Sequence, residues 1–327
     1  MTRFKAALLL LGAICLAGAG CSHSTSSGPT RARETITLAT FSKAIGNSPY
    51  QIAKHFGWFN AEKELMNYDV RYQEFNDRPS ISGAFDRGDL QVLYSAEVPA
   101  ILCRAQGNDI RIVAVSANVD QNILVRKDLP IKTVSDLRGH TIAVLQGTSS
   151  HFCLLKILRA FGMTEKDVKL QYMPPAEGKA AFESGKIDAW AVWAPFVEQQ
   201  EVSGKGRLIA GGDAKINSVM SVARPFETQN RAAVGSVVSV INRAKEWIVA
   251  HPQEAQKVIS QDLGLDPKVV RTAWPKHNWA AQLDSSFVKD IQEKATFLAK
   301  SDKTRSGKGL DAKADLIDTS FVSSSKN

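Results

Sequence analysis

Cysteine and histidine are scarce in this chain, and their scarcity narrows what it can do. Of 327 residues, four are cysteine and six are histidine. Cys15 and Cys21 lie near the N-terminus, which leaves Cys103 and Cys153 for a folded body. The histidines stand singly and no Cys/His spacing repeats, so no metal centre is expected and no cofactor is implied. The two remaining cysteines sit in apolar stretches, "AILCRA" and "HFCLLKIL". They read as two buried thiols, with one disulfide in an oxidising compartment as the alternative. Long apolar runs are lacking as well. The run from Ala6 to Leu16 is too short to cross a bilayer and follows Arg3 and Lys5, the pattern of an export signal. Runs of like charge are also missing. Lys and Arg total 41 against 33 Asp and Glu; without residues 1–20, which carry two cations and no acid, 39 face 33, or +6. That mild bias, with no nucleic-acid motif, excludes a nucleic-acid groove but suits a small anion.

The apolar run ends in "LAGAGC", where small residues lead directly to Cys21. This resembles a bacterial lipobox, although Gly18 stands where leucine is usual. The resemblance implies lipidation of Cys21 and membrane attachment at the extracytoplasmic face; ordinary secretory cleavage is the alternative. Residues 1–20 then form the signal, and the polar residues 21–34 form a flexible tether.

Beyond the tether, strand-like and helix-like stretches alternate. "TITLATF", "YDVRYQEF", "QVLYSAE", "IRIVAVSA" and "NILVRKD" read as strands of a first series, with helices between. From Leu129 a second series follows, with strands "TIAVLQG", "VKLQYMP", "AWAVW" and "GRLIAGG". "TVSDLRG" reads as a short helix capped by Ser135, and "SPYQIAKHFGWF" as one helix. The chain then runs through "NSVMSVARPF" into helices, and its last residues are polar. Such alternation predicts an α/β fold with a largely parallel sheet. Two such series and a helical return predict two lobes: 35–125 with 218–300, and 126–217, followed by a polar tail over 301–327. A ligand cleft belongs between them, because open α/β sheets bind ligands where strands end and helices begin.

Four strand-to-helix turns therefore carry the candidate chemistry: "FSKAIGNSPY", "YSAEVP", "QGTSSH" and "WAVWAP". They offer Ser42, Lys43, Tyr50, Ser95, Glu97, Thr148, Ser149, Ser150, Trp190 and Trp193. In "GTSSH" the glycine permits a tight turn, and hydroxyls follow at a helix start bearing about half a positive charge. That is an anion site by construction, and Thr148 or Ser149 also serves as the helix cap. A nucleophile elbow needs G-x-S-x-G, and the second glycine is missing, so His151 beside Ser150 does not make a hydrolase. Trp190 and Trp193 offer apolar walls, although strict alternation would send them to opposite faces. Glu97 suits a cationic group or a loop hydroxyl, and Lys43 suits an anion.

Taken as a series, these stretches resemble the extracytoplasmic solute-binding proteins of ABC importers for nitrate, sulfonates and taurine, a family that includes thiamine-precursor binders. The resemblance runs from "LPIKTVSDLRGHTIAVLQGTSSHFCLLKIL" through "MPPAEGKAAFESGKIDAWAVWAPF", and "IAKHFGWF" and "ISGAFDRGDLQV" extend it into the first lobe. It implies a two-lobed type II periplasmic-binding-protein fold that closes on a ligand and delivers it to a membrane permease. Ser149 and its neighbours match the family's hydroxyl-rich helix start, Trp190 and Trp193 its tryptophans, and Ala96 and Glu97 its Gly-Asp pair. Ala194 replaces the usual aspartate of "WDP", with Pro195 kept at the first helical position. The expectation is a monomeric, periplasmic, non-enzymatic binder of a small organic anion, an aliphatic or taurine-like sulfonate first. A thiamine-precursor heterocycle or nitrate is the alternative ligand. A Ser/His hydrolase, or the pyrimidine synthase that shares this fold, is the alternative class.

Overall fold

The structure, a computed structural model, describes residues 33–41, 43–301 and 309–322. The expected signal, Cys21, nearly all of the tether and Ser42 lie outside the described residues.

Eleven strands are described: β1 Glu34–Phe41, β2 Tyr68–Phe75, β3 Val92–Ala96, β4 Ile110–Asp120, β5 Ile123–Arg126 and β6 Thr141–Val144, then β7 Lys169–Tyr172, β8 Ala189–Ala191, β9 Gly206–Ile209, β10 Lys215–Ala223 and β11 His277–Asn278. They form two sheets, ordered β11-β4-β10-β3-β1-β2 and β7-β6-β8-β5-β9. Alternation along each strand splits its side chains between two cores. Ile36, Leu38 and Tyr94 join one cluster, while Ala39 and Leu93 join the cluster on the opposite face of the first sheet. In the second sheet Ile142 and Val144 face one cluster, and Ala143 and Trp190 face the other. Helices cover both faces of each sheet, which is why central strands such as β1, β3, β6 and β8 are largely apolar while the edge strands β2 and β7 are polar.

The sheets are mixed, not largely parallel. β1 runs parallel to β2 and β3, and β6 parallel to β7 and β8. β10 is antiparallel to β3 and β4, β11 to β4, and β5 to β8 and β9. The cause is two crossings, from β4 into β5 and from β9 into β10, where a strand arriving from the other sheet enters in reverse. The crossings are tied together: Gln121 N donates to Ala214 O at 2.7 Å and Gly211 N to Asn122 Oδ1 at 3.1 Å. β5, which reads in the sequence as the close of the first series, therefore pairs in the second sheet. β10 escapes the sequence reading altogether, because Asn217, Ser218 and Ser221 interrupt its apolar pattern although all three are buried.

Smaller departures are local. The first helix stops at His55 and resumes at Trp58, with Gly57 at φ 67° between them. The turn Val134–Leu137 is capped by a Thr133/Asp136 box, not by Ser135. Pro195 is the cap of helix Phe196–Val202, not its first residue. Cys103 and Cys153 lie in different clusters and form no disulfide. No helix among the described residues is long and apolar enough to cross a membrane.

Part of the polar tail docks. Ala312 and Leu316 are fully buried, and Ile317 bridges Ile112 of β4. Nearby, Glu227 is buried beside Asp318, and Arg231 approaches both, at 3.4 and 3.7 Å. Burial, then the Asp318 carboxylate, pushes Glu227 up to about 7, against opposing pulls from Arg111 and Arg231. A raised carboxyl pKa in the folded state means stability is lost as pH rises from the ordinary carboxylate range through about 7. Glu227→Gln should abolish that loss, leaving residues 309–322 better protected from amide exchange than wild type at pH above about 8 and similar at about pH 5. Equal exchange in both proteins at the higher pH would refute it.

Candidate functional site

Three helix starts converge on one cleft of about 550 Å³, counting space open to solvent. The turn Ile45–Asn47, leading into helix Ser48–His55, contributes Ala44 and Gly46. Helix Glu97–Ala105 contributes Ala96 and Pro99, and helix Ser149–Ala160 contributes Thr148, Ser149 and Ser150. Val119, Ile216 and Ser218 come from the two strands that run into and out of the crossings, while Trp193, Ala194, Phe41 and His277 complete the walls. Each helix start leaves backbone N–H groups without intrahelical acceptors and carries a partial positive charge.

The "GTSSH" turn is held from within. Gly147 sits at φ 74°, a conformation that favours glycine. Thr148 Oγ1 accepts from His151 N at 3.3 Å and donates to Leu145 O at 2.7 Å, so Thr148 is the cap. Burial holds His151 neutral, at about 4, and its Nδ1 accepts from Gly147 N at 3.4 Å. Ser149 Oγ accepts a long bond from Val98 N at 3.4 Å, which joins two of the helix starts. Ser150 Oγ donates to Gln121 Oε1 at 2.8 Å, and Gln121 Nε2 donates on to Asn122 O at 2.6 Å and Val192 O at 3.3 Å. The cleft wall is thereby fixed to a crossing strand and to the second sheet.

Of the residues singled out in the sequence, Thr148, Ser149, Ser150 and Trp193 line the cleft. Lys43 is exposed and lies between two lining residues, Phe41 and Ala44, without being part of the wall. Four others lie behind it. Tyr50 is buried with its hydroxyl on Leu38 O at 3.3 Å and its ring 4.6 Å from that of Tyr94. Ser95 donates to Ala96 O at 2.9 Å. Trp190 packs in the core against Phe182 and Phe196. Glu97 is fully buried, with Oε1 2.7 Å from Lys294 Nζ.

Gly46, Ser218 and His277 are among the lining residues that escaped the sequence reading, as are the apolar Val119 and Ile216. Gly46 lies in a turn that was singled out, but its role is contact: a Cβ there would fall 2.1 Å from Ser218 Oγ. Ser218 lies on β10, the unread strand. His277 stacks on Trp279, with centroids 5.1 Å apart, and its Nδ1 meets Ala273 O at 2.9 Å. Burial pushes His277 down to about 4, so it is neutral. Nothing in its sequence surroundings signals the site. No Asp, Glu, Lys or Arg among the described residues lines the cleft. Its lining combines three helix starts and the Thr148, Ser149, Ser150 and Ser218 hydroxyls with the apolar Phe41, Val119, Trp193, Ala194 and Ile216. Among the described residues no group of three His, Cys, Asp or Glu could hold a metal ion.

Residues 46–255 match the profile of the NMT1/THI5-like family. The chain is 30% identical over 213 residues to a protein of Escherichia coli (strain K12) assigned as an aliphatic sulfonates-binding protein, spanning 64% of this chain and 67% of that one. Its fold matches the alkanesulfonate-binding protein SsuA from Xanthomonas axonopodis pv. citri, bound to MOPS, with a TM-score of 0.73 and 25% identity over 87% of this chain and 99% of that one. It also matches the desulfurization enzyme DSZB, with a TM-score of 0.67 and 16% identity over 88% and 98% of the two chains. The fold alone therefore does not separate binding from catalysis.

The Gly46 contact makes a stability prediction. Gly46→Ala should cost about 1–3 kcal/mol in denaturant unfolding, the usual penalty of overpacking. Gly46→Ala with Ser218→Ala should recover most of it, since the nearest remaining atom, Ser218 Cβ, is at 3.3 Å. Additive losses would show that the two sites are not in contact.

Proposed function

The chain belongs to the NMT1/THI5-like family, and from that premise we propose that it is the solute-binding component of an ABC importer. It captures a small organic anion, an aliphatic or taurine-like sulfonate, and delivers it to a membrane permease. The observation that carries this reading is that three helix starts and the residues Ser149 and Ser150 line one cleft together with apolar side chains. A sulfonate presents three oxygens to N–H and O–H donors and an alkyl or aryl tail to Trp193, Ala194 and Ile216. The two lobes close around it about the crossings on either side of Gln121 and Ala214, and Lys43 attracts the anion at the mouth. The protein works at the extracytoplasmic face, as a monomer, attached through a lipid on Cys21 after removal of residues 1–20.

Two rival readings meet specific obstacles. A cationic heterocycle would need a carboxylate in the cleft, and Glu97 is paired with Lys294 behind the wall. A serine hydrolase would need a base on Ser149 or Ser150, whose hydrogen-bond partners are Val98 N and Gln121 Oε1. Cys103 and Cys153 are buried and do not line the cleft.

Titration of tryptophan fluorescence with butanesulfonate, taurine, nitrate and a pyrimidine should give saturable binding of the sulfonates. Binding of the pyrimidine alone would overturn the reading. Replacing Ser149 and Ser150 together by alanine should weaken sulfonate binding by about tenfold or more, because the Ser149 O–H can donate to the anion, a bond to a charged group contributing about 1.5–3 kcal/mol, and loss of Ser150 releases the Gln121 side chain that fixes the wall. An unchanged affinity would remove this turn from the site.

A further inference from the structure

The most deeply buried charges of the molecule lie behind the cleft. Lys294, on helix Ser285–Ser301, is 0% exposed, as is Glu97. The Lys294 ammonium lies 2.7 Å from Glu97 Oε1 and 2.6 Å from Asp290 Oδ2, and donates to Lys215 O at 2.8 Å. Glu97 Oε2 in turn accepts from Asn217 N at 2.8 Å. Cys153 Sγ, in the helix that begins at Ser149, contacts the same Lys215 carbonyl at 3.4 Å. Glu97 neighbours Ala96, Asn217 lies between Ile216 and Ser218, and Cys153 lies one turn beyond Ser149 and Ser150. Three walls of the cleft therefore meet at one ammonium on their far side.

We infer that Lys294 is a positioning residue for the cleft: it draws the Glu97 carboxylate behind the wall, holds the three walls together and keeps the cleft free of negative charge. The inference rests on the anion-binding reading of the site. Without the ammonium, a buried Glu97 carboxylate has two outcomes. It takes up a proton, or it stays charged one residue from Ala96 of the cleft wall. In the second state it repels an anion through a poorly screened interior.

The groups facing Glu97 define the pH dependence. Lys294 and Asp290 approach from helix Ser285–Ser301, the Cys153 thiol, itself influenced by Lys156, from helix Ser149–Ala160, and β10 offers the Asn217 amide and the Lys215 carbonyl. Burial raises the Glu97 pKa and Lys294 opposes it. Loss of Lys294 leaves burial and Asp290, both raising, so the carboxyl is neutral at low pH and ionises as pH rises.

Isothermal calorimetry with butanesulfonate between about pH 6 and 9 tests this. Wild type should show a nearly flat affinity. Lys294→Met should bind at least about tenfold more weakly at the upper end and recover toward the lower end. Lys294→Met with Glu97→Gln should be flat again and within about threefold of wild type. A flat Lys294→Met profile, or a double variant that binds no better than the single one, overturns the inference. If Lys294→Met does not fold, the double variant decides alone, and failure of both to fold counts against it. Should wild type bind no sulfonate, the anion reading fails by itself. The ligand-free thermal midpoints then still test the pair, since the single variant should lose more stability with rising pH than either wild type or the double variant.

Discussion

An ammonium buried without water must be compensated, and around Lys294 that requirement organises much of the molecule. The desolvation penalty for such an ion is several kcal/mol, and a partner lost leaves it uncompensated. Burial pulls the Lys294 pKa down, yet Glu97 and Asp290 outweigh it and hold the group well above its ordinary value. Its three polar contacts come from helix Ser285–Ser301 itself, from the start of helix Glu97–Ala105 and from the start of β10. The Phe152 ring covers it at 5.7 Å. A late helix of the chain thus fixes elements that lie nearly 200 residues earlier, and the helical return is part of the site's foundation.

The two crossings impose the second constraint. Both sheets need every backbone group paired, so a chain that passes from one to the other and back must enter each sheet against the direction of its parallel strands. β5 and β10 do this, and Gln121 stands where they diverge. Its backbone bonds to Ala214, and its side chain joins Ser150 to Val192 and Asn122. In the lobe closure proposed above, motion about the crossings would be transmitted to the Ser150 hydroxyl. A hydroxyl tied to the pivot in this way senses closure directly, which a loop side chain at the cleft's mouth does not.

Much of this was legible in the sequence wherever local rules and tertiary structure agree. Gly147, Thr148 and the apolar helix after it define a capped turn by propensity alone, and the structure adds only partners. Trp190 is on a short strand that ends at Ala191 and Trp193 lies two residues beyond that end, so the strand sends Trp190 to the core and the turn releases Trp193 to the cleft. β10 was illegible because its polar residues are buried for reasons that lie elsewhere: Asn217 answers Glu97 and Asp290, and Ser218 faces Gly46. Glu97 shows the same limit. At a strand end a carboxylate reads as a surface or ligand group, and only the position of Lys294, distant in sequence, makes it a buried counter-ion. His277 is legible neither by motif nor by spacing, since stacking on Trp279 places it.

The charge pattern of the cleft follows from these placements. A fixed Arg or Lys in the wall would hold an anion tightly but would stay buried and unpaired whenever the cleft emptied, at a cost of several kcal/mol. Backbone N–H groups and hydroxyls avoid that cost, because they carry no full charge and need no counter-ion, and Ser149 and Ser150 keep Val98 N and Gln121 Oε1 as partners. They also give discrimination by sign, since the partial charges of three helix starts add at one point while the apolar walls supply no cation partner. Such a site pays little to be empty, so the free energy of binding an anion is available to close the lobes rather than to repair the site. A carrier that must both capture and release benefits from that arrangement, and it holds only while the Glu97 carboxylate stays on the far side of the wall.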